Sequence, residues 1–588
     1  MEIAGVVLFV AAAATSLFAS RFSLILTLDS PGVNEVYIPA AYWAVAIAAA
    51  VLISRQTSEP FHRGLARAFV VAFSIHILLL LAVSAARNLD RTAYATAAYW
   101  LYSRVFYVAA IAASLGWVVQ RIRDGTGERL ALVGVSLAAV SLAAMTVWRD
   151  PLVGVAGTIG GVVAAWPPAR VWDRPGHDLI ARWLADDRVV IATAFALSLG
   201  LRLLYTMRVM GDPNYLDTGP DARAYDEAAW RLANGEPLFL GGYPLLILGH
   251  VRFLAAVYQL FGHSYLAACV VQSLIGAAAV AALYRIGKPL FGRTASLIAT
   301  VFAAVNFQLT FWAAAIGYQA LDIGLTVFLV WLLIRAVERW PGRWWVWAAA
   351  GVAFGFAISV RETTATFLAF ACAWVLWTMP RRQTAERWRA VAAILLGAFV
   401  VLVPMVAPMV ATPEQRVEMR QHFDRLASGS QVMGHEGLVE PMTDPTAALG
   451  QLREQPEFVL RALAMGVFNN ITRQFMSQPY GAFDLASLRK GTEYYFGVWF
   501  YAYLLTVIGM IVTARRIHAG DPLAGALTMI LGVVASRTLV HLYLQSGYRH
   551  RAPLEPFLIL LCAAGLMAVL RTAYPQLRGG STTAERER

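Results

Sequence analysis

The sequence predicts an all-α membrane protein that crosses the bilayer many times. Three observations lead there. Of 588 residues, 59% are hydrophobic and 14% are charged, where an ordinary soluble domain carries about 25% charge. A mean hydropathy of +0.59 is more apolar side chain than a globule of this size can enclose. The apolar residues also fall in continuous runs of roughly 15 to 23 residues, which suits helices spanning hydrocarbon and not the alternating strands of a barrel.

The runs form two sets. The first, at 3–19, 38–53, 66–86, 97–119, 130–147 and 152–166, predicts about six helices, so residues 1–183 read as an N-terminal transmembrane region. No basic stretch precedes the first run, as a cleavable leader would require. A polar, proline-containing linker at 167–188, with a short helix expected over 177–184, separates the sets. Residues 184–588 form the second region, with runs at 189–204, 243–261, 264–286, 295–312, 320–336, 345–360, 363–379, 390–410, 494–513, 522–542 and 553–570. Long polar loops interrupt it at 208–242 and 412–493, and a polar tail follows at 571–588.

The net charge of +12 does not read as a nucleic-acid surface. The basic residues sit in short loops between apolar runs, where they set orientation. Arg285, Lys288 and Arg293 fall on the same side as Arg335, Arg339 and Arg343, and as Arg387, Arg389, Arg515 and Arg516, provided the 243–261 segment does not cross. That segment holds His250 and Arg252 and reads as a juxtamembrane helix on the outer face. With about sixteen crossings in all, both termini are then cytoplasmic and both long loops face outward. The excess of arginine over lysine and the abundance of alanine point to a bacterial source. The expected location is then the inner membrane, with the working face towards the periplasm or exterior. Cys269, Cys372 and Cys562 lie inside apolar runs and offer neither a disulfide framework nor zinc spacing.

Polar residues that could perform chemistry collect on the outer side. The loop at 208–242 holds Asp221, Tyr225, Asp226 and Glu227. Asp221 follows a Gly-Pro turn and is placed to start a helix as its N-cap, which is ordinary helix chemistry as much as a sign of catalysis. In such a helix Asp226, five residues on, points to a different side, so the two carboxylates do not act as a close pair. Arg361 ends a helix at the outer boundary, where snorkelling explains it equally well. Arg537 sits one to two turns inside an apolar run, where an arginine costs about 2.5–3.5 kcal/mol unless a cavity or a partner receives it. His541, four residues later, shares its helix face. Arg537 is therefore either half of a structural pair with a buried carboxylate or carbonyl, or the wall of a phosphate-binding cavity. Arg549 and Arg551, in the turn before the last helix, point in different directions.

The segment 219–299 resembles the first outer loop and second membrane helix of bacterial GT-C glycosyltransferases, which include relatives of protein mannosyltransferases and of the lipid A aminoarabinose transferase. The residues that bear the resemblance are Asp221 and Tyr225, Tyr243-Pro244, Phe261-Gly262, Leu283-Tyr284 and Leu290-Phe291-Gly292. It extends over about residues 184–575, through the Glu454–Phe458 stretch and the 546–556 segment that contains Tyr548, and leaves out the first six helices. The fold it implies is a GT-C type helical transmembrane domain with juxtamembrane helices on the outer face.

The implied activity is inverting transfer of a sugar from a polyprenyl-phosphate lipid to an acceptor, which could be a glycan, a lipid or a protein. Such a reaction needs a carboxylate to take the acceptor's proton and cations to meet the departing phosphate. Asp221 is the expected base, with Asp226 and Glu227 the alternatives. Arg361, Arg537, His541, Arg549 and Arg551 are the expected phosphate cations, and Tyr225, Tyr243 and Tyr548 further substrate contacts. Some enzymes of this class use a divalent metal near the first acidic loop, to which Asp221 with Asp226 could contribute, although no metal-ligand spacing requires one. A sugar-nucleotide Asp-x-Asp motif is absent. A flippase of lipid-linked sugars and a non-catalytic envelope-assembly protein are the rival readings. Membrane lipids are the remaining expected partners, and the oligomeric state stays open.

Overall fold

The computed structural model describes residues 186–210, 221–236, 248–380, 383–410, 417, 505–543 and 548–573. The six N-terminal runs, the short helix at 177–184, Tyr243, the Glu454–Phe458 stretch, the tail beyond 573 and the side chain of Tyr548 lie outside them. The described residues are helical, with no strand among them. Six of their helices are long and apolar enough to cross a membrane, or seven if one bent pair counts as a single span.

The chain enters through α1 (Asp187–Val209), whose N-cap Asp186 accepts from the Arg188 amide at 2.8 Å. α2 (Ala222–Ala233) and α3 (Leu248–Phe261) follow and pack on each other. α4 (Tyr265–Phe291) starts where the Ser264 hydroxyl accepts from the Ala267 amide at 3.2 Å, and stops at Gly292, whose φ of 83° suits a residue without Cβ. The apolar run at 295–312 promised one continuous helix. It is instead α5 (Arg293–Val305) and α6 (Phe307–Ala314), because Asn306 between them caps α6 by accepting from the Leu309 amide at 2.9 Å. An asparagine that satisfies an amide of the next turn competes with continuing the helix.

Next come α7 (Gln319–Arg339), α8 (Trp344–Val360), α9 (Thr364–Thr378) and α10 (Thr384–Val410), then α11 (505–518), α12 (Ala524–Tyr543), the single turn α13 (Tyr548–Arg551) and α14 (Glu555–Ala573). Hydrophobicity alone does not select helix partners in lipid, and close approach of small residues does. Gly351 and Gly355, one turn apart on α8, face the Ile394 and Ala398 carbonyls of α10, while Gly397 of α10 faces the Ala348 carbonyl of α8. Gly509 on α11 and Gly565 on α14 are matched in the same way.

The 14-residue α3 spans about 21 Å, short of the roughly 30 Å of hydrocarbon. Gly249 near its start lies against Ser359, at the end of α8, and Tyr258 near its end bonds Asp226 of α2. Both ends of α3 therefore stay at one end of the bundle.

Candidate active site

The helices alternate in direction, and this brings five separate pieces of chain to one end: the start of α2, the start of α7, the α8–α9 turn, the end of α12 and the α13 turn. Nearly every residue predicted to act is found there.

Asp221 occupies the N-cap position of α2 but makes no side-chain capping bond. Its φ of −109° and ψ of −3° are helical, whereas a capping side chain needs an extended backbone. The expected capping role is thus corrected. The carboxylate instead accepts from Arg549 Nη1 at 3.3 Å, with both side chains about one third exposed. A carboxylate that leaves its helix uncapped and turns to an accessible cation is free for other work.

Tyr225, one turn along α2, is buried and sets its ring edge-on to Tyr318 at 6.5 Å and to His250 at 5.4 Å. Burial raises its phenol above the usual range, Asp221 and Glu362 push it further, and Arg361 and Arg549 oppose them. Tyr225 thus marks a point within electrostatic reach of two carboxylates and two guanidinium groups. Arg361 is not a snorkelling arginine. It is 8% exposed, lies over the Tyr318 ring at 4.6 Å, and donates from Nε to Thr363 Oγ1 at 3.2 Å. Burial pushes it down to about 10, so it stays cationic at neutral pH.

The remaining cations differ in how far they are already engaged. Arg537 is buried and donates to Asp322, Thr364 and Thr326, which is the pairing with a buried carboxylate that the sequence allowed. Arg551 is buried between Glu555, at 3.0 Å from its Nε, and Gln308 Oε1, at 2.8 Å from its Nη2. It points away from Arg549, as expected of that turn. The His541 ring stacks on His550 at 4.5 Å and 3°, and Arg549 Nε donates to His550 Nε2 at 3.2 Å. Arg549 and Arg361 are thus the cations nearest Asp221 and Tyr225.

Asp226 faces the other way, as the five-residue spacing predicts. It is 7% exposed and accepts from the Tyr258 hydroxyl at 2.7 Å, His263 Nε2 at 2.8 Å and the Tyr265 hydroxyl at 3.0 Å. His263 stacks on Trp230 at 4.7 Å. This carboxylate knits α2 to the α3–α4 junction. Donors already reach both Asp226 oxygens, so a divalent metal held jointly by Asp221 and Asp226 would have to compete with them. Among the described residues no three His, Cys, Asp or Glu side chains converge as a metal site.

Sequence reasoning missed Asp322, Tyr318 and Glu362. A lone carboxylate in an apolar run was the available signal for Asp322. Tyr318 carries no signal in sequence, because only the fold sets its ring under Arg361, whereas Glu362 is the next residue after Arg361 and was visible only as its neighbour.

Residues 249–407 match the family described as dolichyl-phosphate-mannose-protein mannosyltransferase. The match covers α3 to α10, including the α8–α9 turn. It supports the class of a GT-C membrane glycosyltransferase. No curated protein sequence matches the chain. Two solved structures from Archaeoglobus fulgidus are similar to it. The oligosaccharyltransferase AglB, in complex with an inhibitory peptide and a dolichol-phosphate, aligns at 13% identity and a TM-score of 0.41 over 68% of this chain and 52% of its own. The oligosaccharyltransferase tethered with an acceptor peptide aligns at 14% identity and a TM-score of 0.42, over 68% and 52%. The chain spans about half the length of these structures.

Proposed function

We propose that the chain is an inverting glycosyltransferase that moves a sugar from a polyprenyl-phosphate lipid to an acceptor hydroxyl. The observation behind this reading is the grouping at one end of the bundle. A partly exposed carboxylate, Asp221, meets Arg549, with the buried cation Arg361 held nearby on the Tyr225–Tyr318 side. The family matched by residues 249–407 takes its name from a lipid-phosphate sugar donor, which suits a site at a membrane boundary.

In the proposed reaction the acceptor oxygen attacks the anomeric carbon and Asp221 takes the hydroxyl proton. The bond from the anomeric carbon to the phosphate oxygen breaks, and the lipid phosphate leaves with the electron pair. Arg361 and Arg549 offset the charge that grows on it. Arg537, Arg551 and His541 act from behind by fixing α12 and α13, while Tyr225 and Tyr318 wall the sugar position. The site faces outward, because the opposite ends of the same helices bear Arg285, Arg335, Arg339 and Arg343.

Membranes bearing Asp221→Asn should transfer sugar about 10²- to 10⁴-fold more slowly with normal protein levels and melting. Full activity in that variant would remove Asp221 as the base. Mass spectrometry of glycolipids and glycans from cells lacking the protein should show an accumulated donor and a missing sugar, which identifies both substrates.

A further inference from the structure

At the end of the bundle opposite Asp221, a cavity of about 520 Å³ opens between α1, α4 and α7. We propose that it binds the phosphate head group of an anionic phospholipid.

Its walls bear Arg188, Arg285, Lys288, Arg335 and Arg339 against a single carboxylate, Asp187. Asp187 is engaged by Lys288, by the Tyr284 hydroxyl at 2.7 Å and by Arg293 at 3.6 Å. One negative charge therefore faces five positive ones at the cavity wall. Arg335 also reaches Glu338 at 3.1 Å, an exposed pair that competes weakly with a phosphate. Cations in the last turns of α4 and α7 offset helix dipoles, but that role needs no cavity and no arginine from α1.

Two indoles distinguish the cavity from a merely basic face. Trp331 and Trp340 line it with large aromatic faces of the kind that settle at a membrane boundary. Ile191 and Pro289 add apolar wall between the helix ends. A soluble anion gains nothing from that wall, whereas the first carbons of an acyl chain do. Basic pockets at the ends of membrane helices, flanked by interfacial tryptophan, suit a lipid that brings phosphate and hydrocarbon together.

The test uses the full chain in nanodiscs of phosphatidylcholine, with or without phosphatidylglycerol, followed by native mass spectrometry. Wild-type protein should retain phosphatidylglycerol and melt at a higher temperature in its presence. The double variant Arg335→Gln/Arg339→Gln should bind it roughly thirtyfold more weakly, as two lost surface cations predict. The control Arg343→Gln/Arg389→Gln, which removes charge at the same end but outside the cavity, should keep wild-type binding. If the double variant does not fold, Arg339→Gln alone takes its place, with a loss of about fivefold. Equal loss in the control would show attraction to the face as a whole and overturn the proposal. Binding of inorganic phosphate that displaces the lipid would show a soluble-anion site and overturn it equally.

Discussion

Asp221 and Asp226 show how two carboxylates on one short helix receive different work. Asp226 accepts three hydrogen bonds and holds α2 to the α3–α4 junction. Asp226→Asn should therefore cost about 1–3 kcal/mol of stability, read as lowered melting, because two tyrosines and a histidine lose a charged acceptor. Its effect on turnover should be smaller than that of Asp221→Asn. His250 supplies a test by pH. It is fully buried in α3, its ring nitrogens find no hydrogen-bond partner among the described residues, and burial pushes it from 6.5 down to about 3. The folded state then holds this ring neutral where the unfolded chain protonates it. Stability from this residue is intact above about 6.5 and declines as pH falls towards 3. Melting across that window should flatten in His250→Leu. Asp221 was legible in sequence as the candidate base because it sits in a motif. Its partner Arg549 was one cation among five candidates until folding singled it out.

At the scale of elements, long apolar runs announced helices α1, α4, α7, α10 and α12, since a run of that length has few alternatives in lipid. Breaks within runs were harder to see, because Asn306 splits one through a local hydrogen bond that hydropathy ignores. Helix pairing was invisible for a related reason. Lipid-facing and partner-facing positions are equally apolar, so only small residues mark the contact. A Cβ at Gly351 would lie 2.1 Å from the Ile394 carbonyl oxygen, and one at Gly355 2.6 Å from that of Ala398. Gly351→Val should push α8 from α10 at a cost of about 1–3 kcal/mol. It should lower both melting temperature and transfer, since α8 ends at Arg361. Gly200→Val, which meets nothing within 4 Å, is the control.

Across the whole molecule, Asp322 and Arg537, 215 residues apart, tie the start of α7 to α12 beneath the site. Asp322→Ala leaves a buried guanidinium without its carboxylate and should cost about 3–5 kcal/mol. Asp322→Leu with Arg537→Met should recover most of the melting temperature, because removing both charges also removes their desolvation penalty. Composition and run length alone determined that this is a many-spanning helical protein, since burying so much apolar surface in water is physically impossible. The order of motifs determined the family resemblance, and the spacing of Asp221 and Asp226 determined that they diverge. Only the tertiary structure decided which cations remain near Asp221. Arg537 and Arg551 found carboxylates and Arg361 found an aromatic ring, and each of these partners lies at a distance in the chain or in a turn whose course no periodicity records. The opposite end followed the same rule. Its arginines were legible as orientation signals, but the cavity among them exists only because the start of α1 meets the ends of α4 and α7.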